Sequence, residues 1–383
     1  MPNRSSSSDV VVIGAGAVGL ATAWRAAQRG LRVTVLDRAD APGAGTSSVA
    51  AGMLAPISET IATELPLMRL GLASVAVYPE FVDELREASQ TDPGYLRCGT
   101  LLAARDGDEA EALIRELALR ESLGLAVHRL RASEARALEP ALAPALRLAL
   151  EIPDDHAIDP RKLTAALAHA LTATGGELRL GAPVRGVTVA HERVTGISLA
   201  DGTEVPAGEV VVAAGPWSSA LDGLPDGARI PVHPIKGQIL RLHDPAGPGL
   251  LTRVLRMTGG YLVPRGDGRY VLGATMEERG FDTTVTAGGA FELLRNAFEL
   301  LPSVTELVID ELSAGLRPAT PDNAPAIGPG ALGGLHWAVG HYRHGILLTP
   351  ITAELVVQGL LGVRAVPDEF APTRFAGVRA VAA

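Results

Sequence analysis

Asp9-Val10-Val11-Val12-Ile13-Gly14-Ala15-Gly16-Ala17-Val18-Gly19-Leu20 decides the reading of this chain. The apolar run 9–13 predicts a strand covered on both faces, as in a parallel sheet. It breaks at Gly14, Gly16 and Gly19, after which residues 20–29 are rich in helix formers. Arg32-Val33-Thr34-Val35-Leu36 then predicts a second strand, ending at Asp37. Gly14 permits a tight turn out of the first strand, and Gly16 lets backbone approach a pyrophosphate. Gly19 lets the helix lie close to the sheet, and the helix N-terminus offers amide donors to phosphates. An acid at Asp37 suits a ribose 2′-hydroxyl and argues against a 2′-phosphate. Strand, turn, helix, strand and acid together predict a dinucleotide-binding unit of Rossmann type.

The same glycine spacing recurs at Gly328-Pro329-Gly330-Ala331-Leu332-Gly333, with no long strand before it and no helix after it. That copy reads as a loop. Motif spacing carries meaning only with its flanking elements.

The chain has 383 residues, more than one core usually serves, so two domains are expected. Hydrophobic residues at 47% against 20% charged indicate a globular protein. A net charge of −9 and the lack of a basic run exclude nucleic acid as a partner. The single cysteine, Cys98, rules out an internal disulfide and a cysteine metal cluster, consistent with a cytoplasmic location. Residues 10–24 are too short and too interrupted to span a bilayer, so no membrane association is expected; residues 1–8 read as a disordered polar tail.

Past Asp37, the small-residue run Val49-Ala50-Ala51-Gly52-Met53-Leu54-Ala55-Pro56 suits backbone lying against a flat ligand. Leu65, Met68, Leu72 and Val75 are spaced as one buried helical face, and Pro79 predicts the start of a second helix. Strand 99–104, helix 108–121 and a short helical turn at 133–138 follow. Asp159 and Pro160 have the pattern of an N-cap and first turn. Residues 177–180, 184–189 and 209–214 predict strands, the last closing on Gly215. From about residue 230, alternating polarity and turn signals predict an antiparallel sheet. A helix at 291–301, a strand at 335–340 and a closing helix at 346–361 complete the chain. The fold class expected is α/β with an α+β insert. A doubly wound domain is assembled from residues 1–85, 150–218 and 311–383, and an antiparallel-sheet substrate domain from 86–149 and 219–310.

Several separated stretches resemble one family. They are the Gly14–Gly30 spacing, Thr46-Ser47-Ser48-Val49-Ala50-Ala51-Gly52-Met53, Ala314-Gly315-Leu316-Arg317-Pro318 and Gly340-His341-Tyr342-Arg343-His344-Gly345-Ile346-Leu347. As a set they are similar to the D-amino acid oxidase superfamily of FAD enzymes, and within it to the glycine oxidase branch that serves the thiazole of thiamine. The resemblance implies non-covalently held FAD, with Cys98 as a small buried residue away from it. Gly14, Gly16, Ala17, Val18 and Gly19 are then implied at the pyrophosphate, and Asp37 and Arg38 at the ribose. Thr46, Ser47, Ala51, Gly52 and Met53 are implied along the isoalloxazine, Val184 and Gly215 beside the nucleotide. His341, Tyr342, Arg343, His344, Gly345, Ile346 and Leu347 are implied at the flavin's pyrimidine edge. A helix N-terminus there would stabilise negative charge on reduced flavin.

On the substrate side the resemblance places Arg317 against an amino acid carboxylate, a pairing that a guanidinium fork matches bidentately. Arg343 and Tyr261 are implied as further substrate contacts and Met53 and Met276 as pocket walls, although Tyr261 suits a plain strand aromatic and a methionine plain core filling. The implied chemistry is hydride transfer from the substrate Cα to flavin, O2 as acceptor, H2O2 as product and no dedicated acid/base pair. Family members form homo-oligomers, a tetramer among them. Sarcosine oxidase and D-amino acid dehydrogenase relatives share Arg317 and stay open as alternatives, with a flavin monooxygenase further off. Tyr342 and His344 stand where phenylalanine and asparagine are common in the branch, and Gly259-Gly260 precedes Tyr261, leaving strict glycine preference open.

Overall fold

The computed structural model describes residues 8–59, 61–363 and 366–376. Of the expected tail, residues 1–7 lie outside the described residues, while Ser8 opens the first strand. Ser8–Ile13 is central in an eight-stranded sheet. It pairs in parallel with Val33–Leu36 on one side and Glu204–Val212 on the other, Ile13 opposite both Leu36 and Val212. Glu177–Arg179 and Leu335–Val339 extend the parallel part. Val10 and Val12 face a core shared with helices Ala17–Gln28, Pro160–Ala173 and Thr349–Leu360. Val11 and Ile13 face a second core containing Val210, Val212 and Trp337. Both faces are covered, which is why the strand reads as an unbroken apolar run. Asp159 caps Pro160–Ala173 as expected, its carboxylate accepting from the Arg161 amide at 3.0 Å.

The second sheet also has eight strands. Val308–Ala319 is its edge, followed in space by His233–His243, Arg269–Gly273, Gly260–Pro264, Val254–Met257, Thr100–Ala104, Leu148–Ile152 and His128–Arg131. All its pairings are antiparallel except that of Val254–Met257 with Thr100–Ala104. Helices Ala287–Leu300 and Gly107–Ser122 cover it through Leu293 and Ala297, and through Leu113 and Leu117. A small sheet of Met53–Leu54, His156–Ile158 and Tyr95–Leu96 joins the two halves.

The structure departs from the sequence reading in several places. Pro79 starts no second helix: Leu65–Ser89 is one helix with Pro79 inside it. An interior proline costs about 3 kcal/mol, and the buried stripe Leu70, Ser74, Tyr78, Phe81, Val82 and Leu85 running past it outweighs that cost. The stripe also shifts the expected face, since Leu65, Leu72 and Val75 are only half-buried. This is the one helix among the described residues long and apolar enough to cross a membrane, and it packs in the nucleotide-domain core instead. Glu204–Val212 is a single strand, and Arg193–Leu199 and Leu148–Ile152 are strands that no sequence pattern announced. Gly328 and Pro329 close a hairpin strand, Ala326–Pro329, so the loop reading of the second glycine motif holds only from Gly330 onward.

Three elements also run across the boundaries expected between the domains. Val308–Ala319 pairs with His233–His243 along its length, so the substrate sheet extends beyond residue 310 to Ala319. Leu148–Ile152 belongs wholly to that sheet, and helix Leu65–Ser89 continues past residue 85. Backbone pairing does not stop where composition changes. The closing helix begins at Thr349 rather than Ile346, after a 3₁₀ turn at Tyr342–His344.

Candidate active site

A cavity of about 1270 Å³ lies where the parallel strands end and the substrate sheet begins. One end is built by the first glycine turn. A Cβ on Gly14 would lie 2.4 Å from the Ala213 carbonyl oxygen, and one on Gly19 would lie 2.0 Å from that of Gly14. No side chain larger than hydrogen fits at either glycine, and Gly16, Ala17 and Val18 beside them line the cavity. Asp37 stands beside them, accepting from the amides of Ala15 at 2.6 Å and Ala39 at 2.8 Å. The Arg38 guanidinium stacks 3.9 Å from the centre of the Trp217 ring, and Val184 and Gly215 complete that end.

The second small-residue stretch folds over the middle of the cavity. Thr46–Val49 is a one-turn helix, tied to the glycine turn by the Ala17 amide donating to Ser47 Oγ at 3.0 Å. Thr46 Oγ1 donates to the Leu316 carbonyl at 2.7 Å, linking it to the substrate sheet. Ala51, Gly52 and Met53 line the cavity; Gly52 has φ +80° and lies so close to the Ile158 carbonyl that a Cβ would reach 1.9 Å from it. From the other side His341, Tyr342, Arg343, His344, Gly345 and Ile346 reach the cavity. Leu347 does not, contrary to expectation. It is buried in the helical core, where its carbonyl accepts from Ser74 Oγ at 2.6 Å. The late start of the closing helix turns it inward.

The far end holds the charged groups. Arg317 projects from the edge strand, and its Nη1 donates to the carbonyls of Thr275 at 3.1 Å and Lys236 at 3.3 Å. Among the described residues no carboxylate lies within 4.0 Å of its guanidinium. Tyr261 lies beside it; burial pushes the phenol above its usual range, so the hydroxyl keeps its proton. Arg343 lines the same space but is engaged elsewhere, with Glu64 at 3.1 Å and Glu59 at 3.6 Å. Met53 is a half-buried wall, while Met276 is 64% exposed at the rim, its sulfur accepting from Tyr342 Oη at 3.3 Å.

Sequence reasoning missed Glu59, Arg256, Thr275 and Gly237, all of which line the cavity. Glu59 is the most informative. Burial alone would raise its pKa, but Arg256 at 3.4 Å, with His344, Arg343 and Arg317, outweighs burial and holds it below the usual range. It is therefore ionised, within a nest of arginines. It follows the stretch 46–53 in no periodic pattern, so only proximity in space reveals it. The buried histidines are held neutral: burial brings His341 down to about 3, and it lowers His344 as well. Cys98 is half-buried in the small cluster that includes Met53 and Tyr261, outside the cavity lining, and burial pushes its thiol up to about 11.

A glycine cradle without room for Cβ atoms, an acid at the second strand tip and a cavity continuing to an unpaired guanidinium fit an extended dinucleotide plus a small anionic substrate. This fold and site define an FAD-binding oxidoreductase, and the chain belongs to the FAD dependent oxidoreductase family, which matches residues 9–358. Within that class it is similar to the glycine oxidase of Geobacillus kaustophilus, 36% identical over 91% of each chain. The crystal structure of glycine oxidase from Geobacillus kaustophilus superposes with a TM-score of 0.88 at 34% identity, covering 96% of this chain and 99% of that one. The bifunctional protein ThiO/ThiG of Synechocystis is 37% identical over 97% of this chain, which spans 54% of that longer relative. The cofactor is FAD.

Proposed function

We propose that the protein is an amino acid oxidase that oxidises glycine and other small amines, including sarcosine and small D-amino acids, to the 2-oxo acid and H2O2, releasing ammonia from the primary amines and methylamine from sarcosine. The observation that carries this reading is Arg317, a guanidinium in the cavity with carbonyl partners and no carboxylate. Its remaining N–H groups match a substrate carboxylate in a fork geometry. FAD held along this cavity would supply the electron sink for oxidation of the substrate Cα–H bond, with O2 as the final acceptor.

The chain's own residues do the positioning. Arg317 fixes the carboxylate, and protonated Tyr261 offers a second donor beside it. Ionised Glu59 offsets part of the positive charge of Arg256 and Arg343. Neutral His341 is bonded through Nε2 to Thr352 at 3.0 Å and takes no proton from substrate. Position and electrostatics suffice where the cofactor carries the electrons. FAD is expected to be held without a covalent bond, since Cys98, the one thiol of the chain, lies outside the lining of the cavity. The enzyme works in the cytoplasm as a homo-oligomer and feeds thiazole synthesis for thiamine.

Anaerobic mixing with glycine, sarcosine and D-alanine, followed by a peroxide assay in air, tests the reading. Bleaching of the flavin by glycine and stoichiometric peroxide are expected. Bleaching by sarcosine but not glycine would assign the chain to the sarcosine oxidase alternative, and reduction by D-alanine without peroxide in air to the D-amino acid dehydrogenase one.

A further inference from the structure

A second cavity, of about 440 Å³, lies behind the flavin loop, between the start of helix Pro160–Ala173 and the substrate sheet. Its inner wall is Arg241 and Arg265. The Arg265 guanidinium donates only to neutral carbonyls, Ile158 at 3.0 Å and Ala51 at 2.7 Å. Among the described residues no carboxylate lies within 4.0 Å of it. Arg241 donates to the Ser48 carbonyl at 2.6 Å and meets Glu311 only at 3.7 Å. The Nε of both arginines is buried without an acceptor. Two mostly buried guanidiniums, with Glu311 beside Arg241 as the one carboxylate within 4.0 Å of either among the described residues, are costly unless an anion completes them.

Three acids and a further arginine, Arg161, also line the cavity, and each acid has a partner of its own. Asp159 caps its helix and lies 3.9 Å from Arg269, Asp310 pairs with His243 at 2.7 Å, and the closest contact of Glu311 is Arg161 at 2.8 Å. The outer rim adds Lys162 and Arg269, each in a half-exposed pair, with Asp92 at 3.0 Å and Asp267 at 2.6 Å. Such exposed pairs are weak and can be shared with an incoming anion.

We propose that this second cavity binds a small oxodianion, inorganic phosphate or a phosphomonoester, held by Arg241 and Arg265 with Lys162 and Arg269 at its mouth. A dianion matches the two buried guanidiniums in charge, and phosphate oxygens match their planar forks. The cavity is larger than a bare phosphate, which leaves room for an ester group. The site also touches the flavin loop from behind. Arg241 and Arg265 hold the carbonyls of Ser48 and Ala51, and the Val49–Met53 stretch lines the first cavity on its other side. Anion binding is therefore expected to perturb the flavin spectrum without entering the flavin cavity.

The test is calorimetric titration of the holoenzyme, in phosphate-free buffer at fixed ionic strength, with inorganic phosphate, glycerol 3-phosphate and acetate. Saturable binding of one equivalent is expected for phosphate or for the ester, with acetate at least tenfold weaker; whichever of the first two binds more tightly identifies the source. Lys162→Ala/Arg269→Ala, which alters only the mouth, is expected to weaken binding at least fivefold, and Arg241→Gln to abolish it. Absence of saturable binding to wild type, or equal affinity in the mouth variant, overturns the proposal. Should Arg241→Gln fail to fold, the mouth variant alone decides. None of these outcomes depends on which amine the enzyme oxidises.

Discussion

A Cβ on Gly237 would lie 2.5 Å from both terminal nitrogens of Arg317, so this glycine is what lets the guanidinium lie across the neighbouring strand toward the cavity. The two residues sit on paired strands, with Arg317 opposite Ile235 and Gly315 opposite Gly237. Gly237→Ala meets the far end of a flexible side chain rather than backbone, so the fold and FAD content should survive while Arg317 is pushed aside. Misplacement by about 1 Å can cost on the order of a hundredfold. A fall in kcat/KM of about that size, with an unchanged flavin spectrum, is expected from steady-state kinetics. Full activity would mean that Arg317 is not held where the substrate needs it.

Asp37 makes a separate prediction. Its carboxylate fixes the amides of Ala15 and Ala39 and faces the cavity. Replacing it by alanine removes one charge-assisted acceptor, worth about 1.5–3 kcal/mol, or roughly ten- to a hundredfold in FAD affinity. Fluorescence titration of the apoprotein with FAD measures this, and excess FAD should restore turnover. Unchanged affinity would remove Asp37 from the ribose site.

Asp155 controls pH dependence near the site. It is fully buried, accepts from the amides of Ile57 at 3.1 Å and Ser58 at 2.8 Å, and so anchors the segment that carries Glu59. Burial raises its pKa from 3.8 to about 6. A raised folded-state pKa means that the folded protein holds the proton more tightly than the unfolded chain. The resulting stabilisation is complete below pH 4 and is lost as pH rises through 6. That rise corresponds to about 3 kcal/mol. In urea unfolding, wild type should gain on Asp155→Asn by about that amount between pH 7 and pH 4. Parallel stability curves would show that Asp155 titrates normally.

The fold was legible wherever one local pattern fixed one element. Buried parallel strands announced themselves in Val10–Ile13 and Val210–Val212 because both faces are covered. Gly14, Gly16 and Gly19 had a steric reason that a sequence can show. Elements governed by distant partners were not legible. Pro79 is tolerated only because Tyr78 and Phe81 are buried against other helices, and the edge strand runs to Ala319 because His233–His243 pairs with it. Most of the expected site residues line one cavity, Leu347 excepted. Glu59, Arg256 and Gly237 escaped notice because nothing in their own neighbourhoods marks them. They matter through Arg317 and Arg343, which are far away in sequence.

The central claim, that Arg317 clamps the substrate carboxylate, is tested most directly by the kinetics of Arg317→Ala on the best amino acid substrate. Loss of the fork leaves the substrate carboxylate without its charged partner, at a cost of about 2–5 kcal/mol. The account predicts a fall in kcat/KM of about thirty- to several-thousandfold with FAD content unchanged, and little recovery in Arg317→Lys. An Arg317→Ala enzyme within about threefold of wild type would contradict it.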